Sequence, residues 1–188
     1  NAWINIIEDE LSQIGIEIYN LRNTQLRLLN EHIKILNEKN NYNFSVNLSI
    51  KDNFFKNDLS KDYYISNLKQ NREYDKNFGG SKIGPHKSDI IAKINNDFDA
   101  SQLSTGQQKT VVLMILIAQC DNLVNNKKIK PILLLDEICS HLDTNNRKII
   151  LDIINKFDVQ LFLTGTDKTL FSFISKNVKF HNIENYEY

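Results

Sequence analysis

Pro131 opens a run of four apolar strand formers, Ile132, Leu133, Leu134 and Leu135, and the run stops at two carboxylates, Asp136 and Glu137. A segment apolar at every position with turn formers on both sides reads as a strand buried on both faces of a parallel sheet. Parallel strands need long crossovers, so helices must lie between them. From about residue 81 the patterns do alternate, over 90–94, 107–123, 132–135, 145–157, 160–163, 168–175 and 178–183. The expectation is an α/β architecture. Ligands in open α/β sheets bind at the carboxyl ends of the strands, where Asp136 and Glu137 emerge. There one carboxylate can hold Mg²⁺ through water and the next can orient or deprotonate an attacking water. A plain polar loop start is the alternative for such a pair.

A second feature lies one helix-length upstream. Residues 103–109 read Leu-Ser-Thr-Gly-Gln-Gln-Lys, and the near-continuous apolar run 111–118 follows. Ser104 with Gln107 three residues on is a capping-box pattern, which starts a buried helix near Thr105 or Gly106. A helix start offers free N–H groups and partial positive charge, and Gly106 permits close approach of a phosphate. Ser104 as a simple cap is the other reading. Asp143 precedes a helix whose apolar positions are Ile149, Ile150, Ile153, Ile154 and Phe157; on its own it reads as a cap or turn residue.

The first part of the chain is organised differently. Ile4, Ile7, Leu11, Ile14, Ile18, Leu21, Gln25, Leu28, His32 and Ile35 keep a heptad rhythm, apolar except at Gln25 and His32, so a long helix is expected to lay this stripe on another helix. His32 reads as a packed or register-setting residue. Residues 42–50 alternate as a strand, and 59–72 read as a helix with Tyr63, Tyr64 and Leu68 on one face. The expected division is a helical arm over 1–80 and an α/β part over 81–188.

Composition narrows the function classes. The 23 basic and 23 acidic side chains balance, so no global field steers the chain onto nucleic acid. A local excess includes Lys69, Arg72, Lys76, Lys82 and Lys87, with Tyr63, Tyr64 and Tyr74 interleaved; a solvated face and a DNA-tracking surface are both open readings. The longest apolar run, 111–118, is too short to span a bilayer. Cys120 and Cys139 lack metal-site spacing and read as reduced core thiols.

The three motifs together resemble known proteins. Residues 103–109 are similar to the signature motif of ATP-binding-cassette ATPases, 132–137 to their Walker B strand, and Ser140 to Asp143 to their D-loop. Upstream, Gly84, Pro85, His86, Lys87, Ser88 and Asp89 resemble the Gly-Pro-His-Arg-x-Asp element of the bacterial RecF family, with Lys87 where that family has Arg. Thr105 stands in place of the first Gly of the superfamily's Leu-Ser-Gly-Gly-Gln. The doubled glutamine, Gln107 and Gln108, fits the same family.

This resemblance implies a P-loop ATPase head of the ABC type with a helical arm. It implies ATP and Mg²⁺ as cofactors, Asp136 at the metal and Glu137 at the water. Ser104, Gly106, Gln107 and Lys109 would meet ATP held by a second copy, with Asp143 at the dimer interface and Thr164 as γ-phosphate sensor. Implied partners are gapped DNA, or junctions of single- and double-stranded DNA, and the proteins RecO and RecR, which load RecA. An SMC-type head and a non-catalytic DNA-binding module of the same fold are the alternatives. The chain contains no Gly-x-x-x-x-Gly-Lys-Ser/Thr and no initiator Met, so it is expected to be the C-terminal part of a longer protein, inactive by itself.

Overall fold

The computed structural model describes residues 2–40, 45–56, 58–95, 97–137, 143–157, 159–174 and 178–183. The chain forms two compact units, Asn1–Ala100 and Ser101–Tyr188. The division falls later than residue 80 because the strand that follows the Gly-Pro-His element pairs within the first unit.

The first unit is a long helix, α1 (Ala2–Asn40), a strand β1 (Val46–Lys51), a helix α2 (Lys61–Phe78), a turn over Pro85–Lys87, and strands β2 (Asp89–Ile94) and β3 (Phe98–Asp99). The sheet is antiparallel in the order β1-β2-β3, with Val46 opposite Ile94 and Lys51 opposite Asp89. Helix α2 starts at Ser60, whose side chain accepts from the Tyr63 N–H, and stops at Gly79 in the left-handed conformation.

Helix α1 is as long as its periodicity demands, but a different stripe faces inward. The residues covered within the unit are Glu8, Ser12, Gly15, Tyr19, Leu26, Leu29, Ile33 and Leu36, one position along from the expected heptad. Leu11, Ile14 and Leu21 are exposed, Leu21 by 64%. The reason is steric. A Cβ on Gly15 would lie 2.6 Å from the Tyr64 ring, so only the stripe carrying Gly15 lets α2 come this close. Tyr64 then enters a core with Tyr19, Phe54 and Leu68. His32 is buried, as expected of a packed residue.

Polar groups inside this unit are tied to one another. The Tyr19 hydroxyl donates to Asp52 Oδ2 at 2.6 Å, while Asp52 Oδ1 accepts from the backbone of Phe54 and Phe55. Burial, and then the hydrogen bond to Asp52, push the Tyr19 phenol well above its ordinary range. Burial pushes Tyr64 up to about 12, with the Asp52 charge adding to it. Asn30 uses its side-chain amide as a strand would, donating to Leu48 O and accepting from Leu48 N, both at 2.8 Å.

The second unit contains α3 (Thr105–Asp121), which widens into a π-helical turn over Asn122–Asn126, then β4 (Ile132–Leu135), α4 (Thr144–Lys156) and β5 (Gln160–Leu163). Helices α3 and α4 pack together, and Leu113, Met114, Ile117, Ile149, Ile150 and Ile153 are fully buried. Strands β4 and β5 run parallel, as α/β alternation requires. The expected burial of β4 on both faces is not observed. Leu133 and Leu135 are buried, whereas Ile132 and Leu134 are 63% and 71% exposed. Successive side chains point to opposite faces, and within the described residues only one face of this sheet is covered. Residues 168–171 form a short 3₁₀ turn rather than a helix to 175, and the described residues 178–183 form no strand.

Among the described residues no helix is long and apolar enough to cross a membrane. Cys120 is buried, and burial pushes its thiol pKa up. Cys139 lies outside the described residues.

Candidate functional site

The register of β4 and β5 builds the site. Leu135 lies opposite Leu163, so Asp136 and Thr164 are the next residues out of the two strands, side by side at the carboxyl edge. The ladder continues one step, with Thr164 N donating to Leu135 O at 3.2 Å. Beyond it, Thr164 Oγ1 donates to Asp136 Oδ1 at 2.5 Å and accepts from Glu137 N at 2.8 Å. Glu137 has φ of 48°, in the left-handed region. That conformation costs a non-glycine residue about 1–2 kcal/mol, and a hydrogen bond to its N–H helps to hold it. The Thr164 hydroxyl, for which the resemblance implies a place at the γ-phosphate, makes both of these hydrogen bonds.

Asp136 and Glu137 are both exposed. Asp136 Oδ2 takes no hydrogen bond from the described residues, so this exposed carboxylate keeps one oxygen for a further partner. Mg²⁺ keeps most of its waters and needs only one or two carboxylates beside substrate phosphates, so this donor set fits the ion. A cage of three or more ligating side chains is absent among the described residues.

The start of α3 carries the full capping box. Ser104 Oγ accepts from Gln107 N, and Gln107 Oε1 accepts from Ser104 N at 3.1 Å. Gln108 donates its side-chain amide to Leu103 O and Ser101 O, fixing the turn before the helix. Among the described residues a Cβ on Gly106 would meet nothing within 4 Å, so their packing does not demand glycine there. Ser104, Gly106 and Gln107 are exposed, and Lys109 is half-buried. An exposed helix start with a glycine in its first turn suits an anion.

Asp143 caps α4, its Oδ1 accepting from Asn146 N at 2.7 Å. Ser140, the other end of the expected D-loop, lies outside the described residues. Asn146 was not singled out in the sequence. It is buried, and its amide donates to Gly106 O at 3.4 Å, joining the first turn of α4 to the first turn of α3. An asparagine in a helix carries no sequence signal for such a link.

The Gly-Pro-His element sits in the first unit. Gly84 has φ of 131°, and a Cβ there would lie 2.8 Å from the Tyr64 hydroxyl. Arg22 donates to Pro85 O at 2.6 Å and to Ser88 Oγ at 2.5 Å. His86 Nε2 donates to Ser81 O. Lys87 and Asp89 are exposed, and Asp89 Oδ1 accepts from Ile90 N. Within this unit the element braces the fold, and Arg22 is the partner that sequence reading missed. Arg72, grouped above with the basic excess, is bound by the buried Glu8 through Nε and Nη2, each at 2.6 Å. The hydrogen bond to Glu8 raises its pKa.

The sequence and the fold are similar to those of known proteins. The RecF DNA replication and repair protein of Rickettsia typhi is 33% identical over 172 residues, covering 89% of this chain and 47% of that protein. The protein of the same name from Rhizobium rhizogenes is 30% identical, covering 97% of this chain and 50% of its own length. The chain thus spans about half the length of the curated relatives it matches. A solved structure of the recombination mediator protein RecF with ATP superposes with a TM-score of 0.71 at 23% identity, over 89% of this chain and 46% of that one. This likeness shows that the two chains share a fold. The comparisons give no support to placing the chain in the C-terminal portion of such a protein, since the family model it matches describes an N-terminal domain. That model, the RecF/RecN/SMC N terminal domain, matches residues 6–187, nearly the whole of the described fold, and the chain belongs to this family.

Proposed function

We propose that the chain supplies the signature and Walker B parts of a RecF-like, ATP-dependent protein of DNA replication and recombinational repair. The observation that carries this reading is the carboxyl edge of β4 and β5, where Asp136, Glu137 and Thr164 meet exposed and oriented. Asp136 would hold Mg²⁺ through water, and Glu137 would accept the proton of the attacking water. Bound Mg²⁺ would supply charge neutralisation on the phosphates.

The exposed start of α3 is the second part of the proposal. Ser104, Gly106, Gln107 and Lys109 would face the γ-phosphate of ATP held by a second copy, with Asp143 bracing the interface, so ATP would join two protomers. Asn146 ties the Asp143 turn to Gly106, which would move the two as one piece. Closure of the dimer on DNA at a gap, and release after hydrolysis, would time the hand-over of the single strand to RecA with RecO and RecR in the cytoplasm. On the first unit Lys69, Lys76, Lys82 and Lys87 are exposed for phosphate contact, whereas Arg72 is held by Glu8.

An SMC-type head is the second reading, favoured by the exposed heptad stripe of α1 at Leu11, Ile14 and Leu21. The test uses the intact protein. Glu137→Gln is expected to abolish magnesium-dependent ATP turnover while leaving ATP binding, and Ser104→Arg to block ATP-dependent dimerisation, read by light scattering. Normal turnover in the first and normal dimers in the second would refute the assignment.

A further inference from the structure

We infer that Thr164 is a positioning residue for the two carboxylates, and does not sense the γ-phosphate. The inference rests on the reading of Asp136 and Glu137 as the ATP-site pair. A threonine hydroxyl has one proton, and here that proton is directed at Asp136 Oδ1 over 2.5 Å. At this separation the hydroxyl donates and the carboxylate oxygen accepts. The same oxygen accepts the Glu137 N–H at 2.8 Å. Donating to a phosphate would therefore require letting go of Asp136.

The clasp acts on both carboxylates differently. At Asp136 it fixes one carboxylate oxygen, so the other would be available to a metal-bound water. At Glu137 it holds the backbone of the turn that follows β4, where φ is 48°. One hydroxyl thus couples the placement of the metal ligand to that of the base, and its two hydrogen bonds polarise each other.

Thr164 is itself held from behind. Its N–H bonds to Leu135 O. The following Gly165 lies against Phe171, where a Cβ would come within 2.9 Å of the ring. Phe171 is buried at the end of the turn Lys168–Phe171, and Asp167 caps that turn by accepting from Thr169 N. The end of β5 is therefore a support whose rigidity reaches the carboxylates through one oxygen. Valine keeps the shape of threonine and removes both hydrogen bonds, while serine keeps the hydroxyl.

The experiment measures ATP turnover in the intact protein against Mg²⁺ and against ATP, for wild type, Thr164→Val, Thr164→Ser and Glu137→Gln. Groups that orient a metal ligand change activity or metal affinity by roughly 10-fold to 100-fold when removed. Thr164→Val is expected to lower kcat and raise the Mg²⁺ requirement on that scale with KM for ATP unchanged, and Thr164→Ser to restore both. A raised KM for ATP with an unchanged Mg²⁺ requirement would make Thr164 a sensor and overturn the inference. Inactive Glu137→Gln beside fully active Thr164→Val would overturn the inference alone; fully active Glu137→Gln would overturn the reading of the pair and the inference with it. Amide hydrogen exchange at Glu137 gives a readout independent of turnover. It should accelerate in Thr164→Val and return to the wild-type rate in Thr164→Ser, and an unchanged rate in Thr164→Val would remove the clasp.

Discussion

The interior of the first unit and the carboxyl edge of the β4–β5 sheet use polar residues in opposite ways. In the first unit Tyr19 is bound to Asp52, Arg72 to Glu8 and Arg22 to the Gly-Pro-His turn, and Tyr64 fits between Gly15 and Gly84. Each group is absorbed by the fold. In the second unit Asp136, Glu137, Ser104 and Gly106 are exposed at strand and helix ends, and the hydrogen bonds they do make orient them without covering them. Motif residues can thus be kept for opposite reasons: Gly84 because a side chain would strike Tyr64, Gly106 with no steric demand from the described residues. A glycine that packing does not require is the one to test for a ligand.

The largest expected effect probes the packed side of this contrast. Tyr64→Ala removes a nearly fully buried ring from between the two glycines. Truncating a buried aromatic costs about 3–5 kcal/mol, so urea denaturation should show the first unit destabilised by that amount. A loss within measurement error would mean that the unit is not organised around this residue.

Alkaline titration sharpens the same side. Tyr64 is held up to about 12 and Tyr19 is raised by burial, so in the folded chain both stay protonated where an unfolded tyrosine ionises, near pH 10. Their contribution is complete below about pH 10 and falls as pH rises toward the folded values, by about 1.4 kcal/mol per pH unit for each group. Denaturation midpoints should drop steeply between those limits, and Tyr64→Phe should make the slope shallower. A slope unchanged by Tyr64→Phe would place the sensitivity elsewhere.

The smallest expected effect falls on the open side. Ser104→Ala removes a helix cap that is exposed, at a cost of about 1 kcal/mol measured by thermal unfolding. If its effect on ATP-dependent dimerisation of the intact protein is larger than this stability change accounts for, Ser104 is kept for the ligand. If the two effects match, it is only a cap, and the contrast between the units loses one of its members.

Much of the site could be read along the chain because its signals are local. A capping box needs only Ser104 and Gln107, and a strand ending in two carboxylates needs only six consecutive residues, 132–137. The helices followed from periodicity, α4 with its inward positions Ile149, Ile150, Ile153 and Phe157 among them. Arg22 and Asn146 were illegible for a physical reason. Their partners lie far away in sequence, at Pro85 and Gly106, and neither residue type in a helix signals a distant carbonyl.

By itself the sequence determined the main helices, the strands that carry the site, the order of the motifs and the α/β class, because propensity, capping and periodicity act over a few residues; it misread 168–175 and 178–183, which form a short turn and no strand. Only the tertiary structure decided which of two adjacent heptad stripes of α1 faces inward, since that depends on whether Gly15 admits the ring of Tyr64. It likewise left one face of β4 uncovered by the described residues and brought Thr164 beside Asp136 and Glu137. Side-by-side placement comes from the pairing of Leu135 with Leu163, and strand register is set by hydrogen bonds between segments that no local pattern encodes.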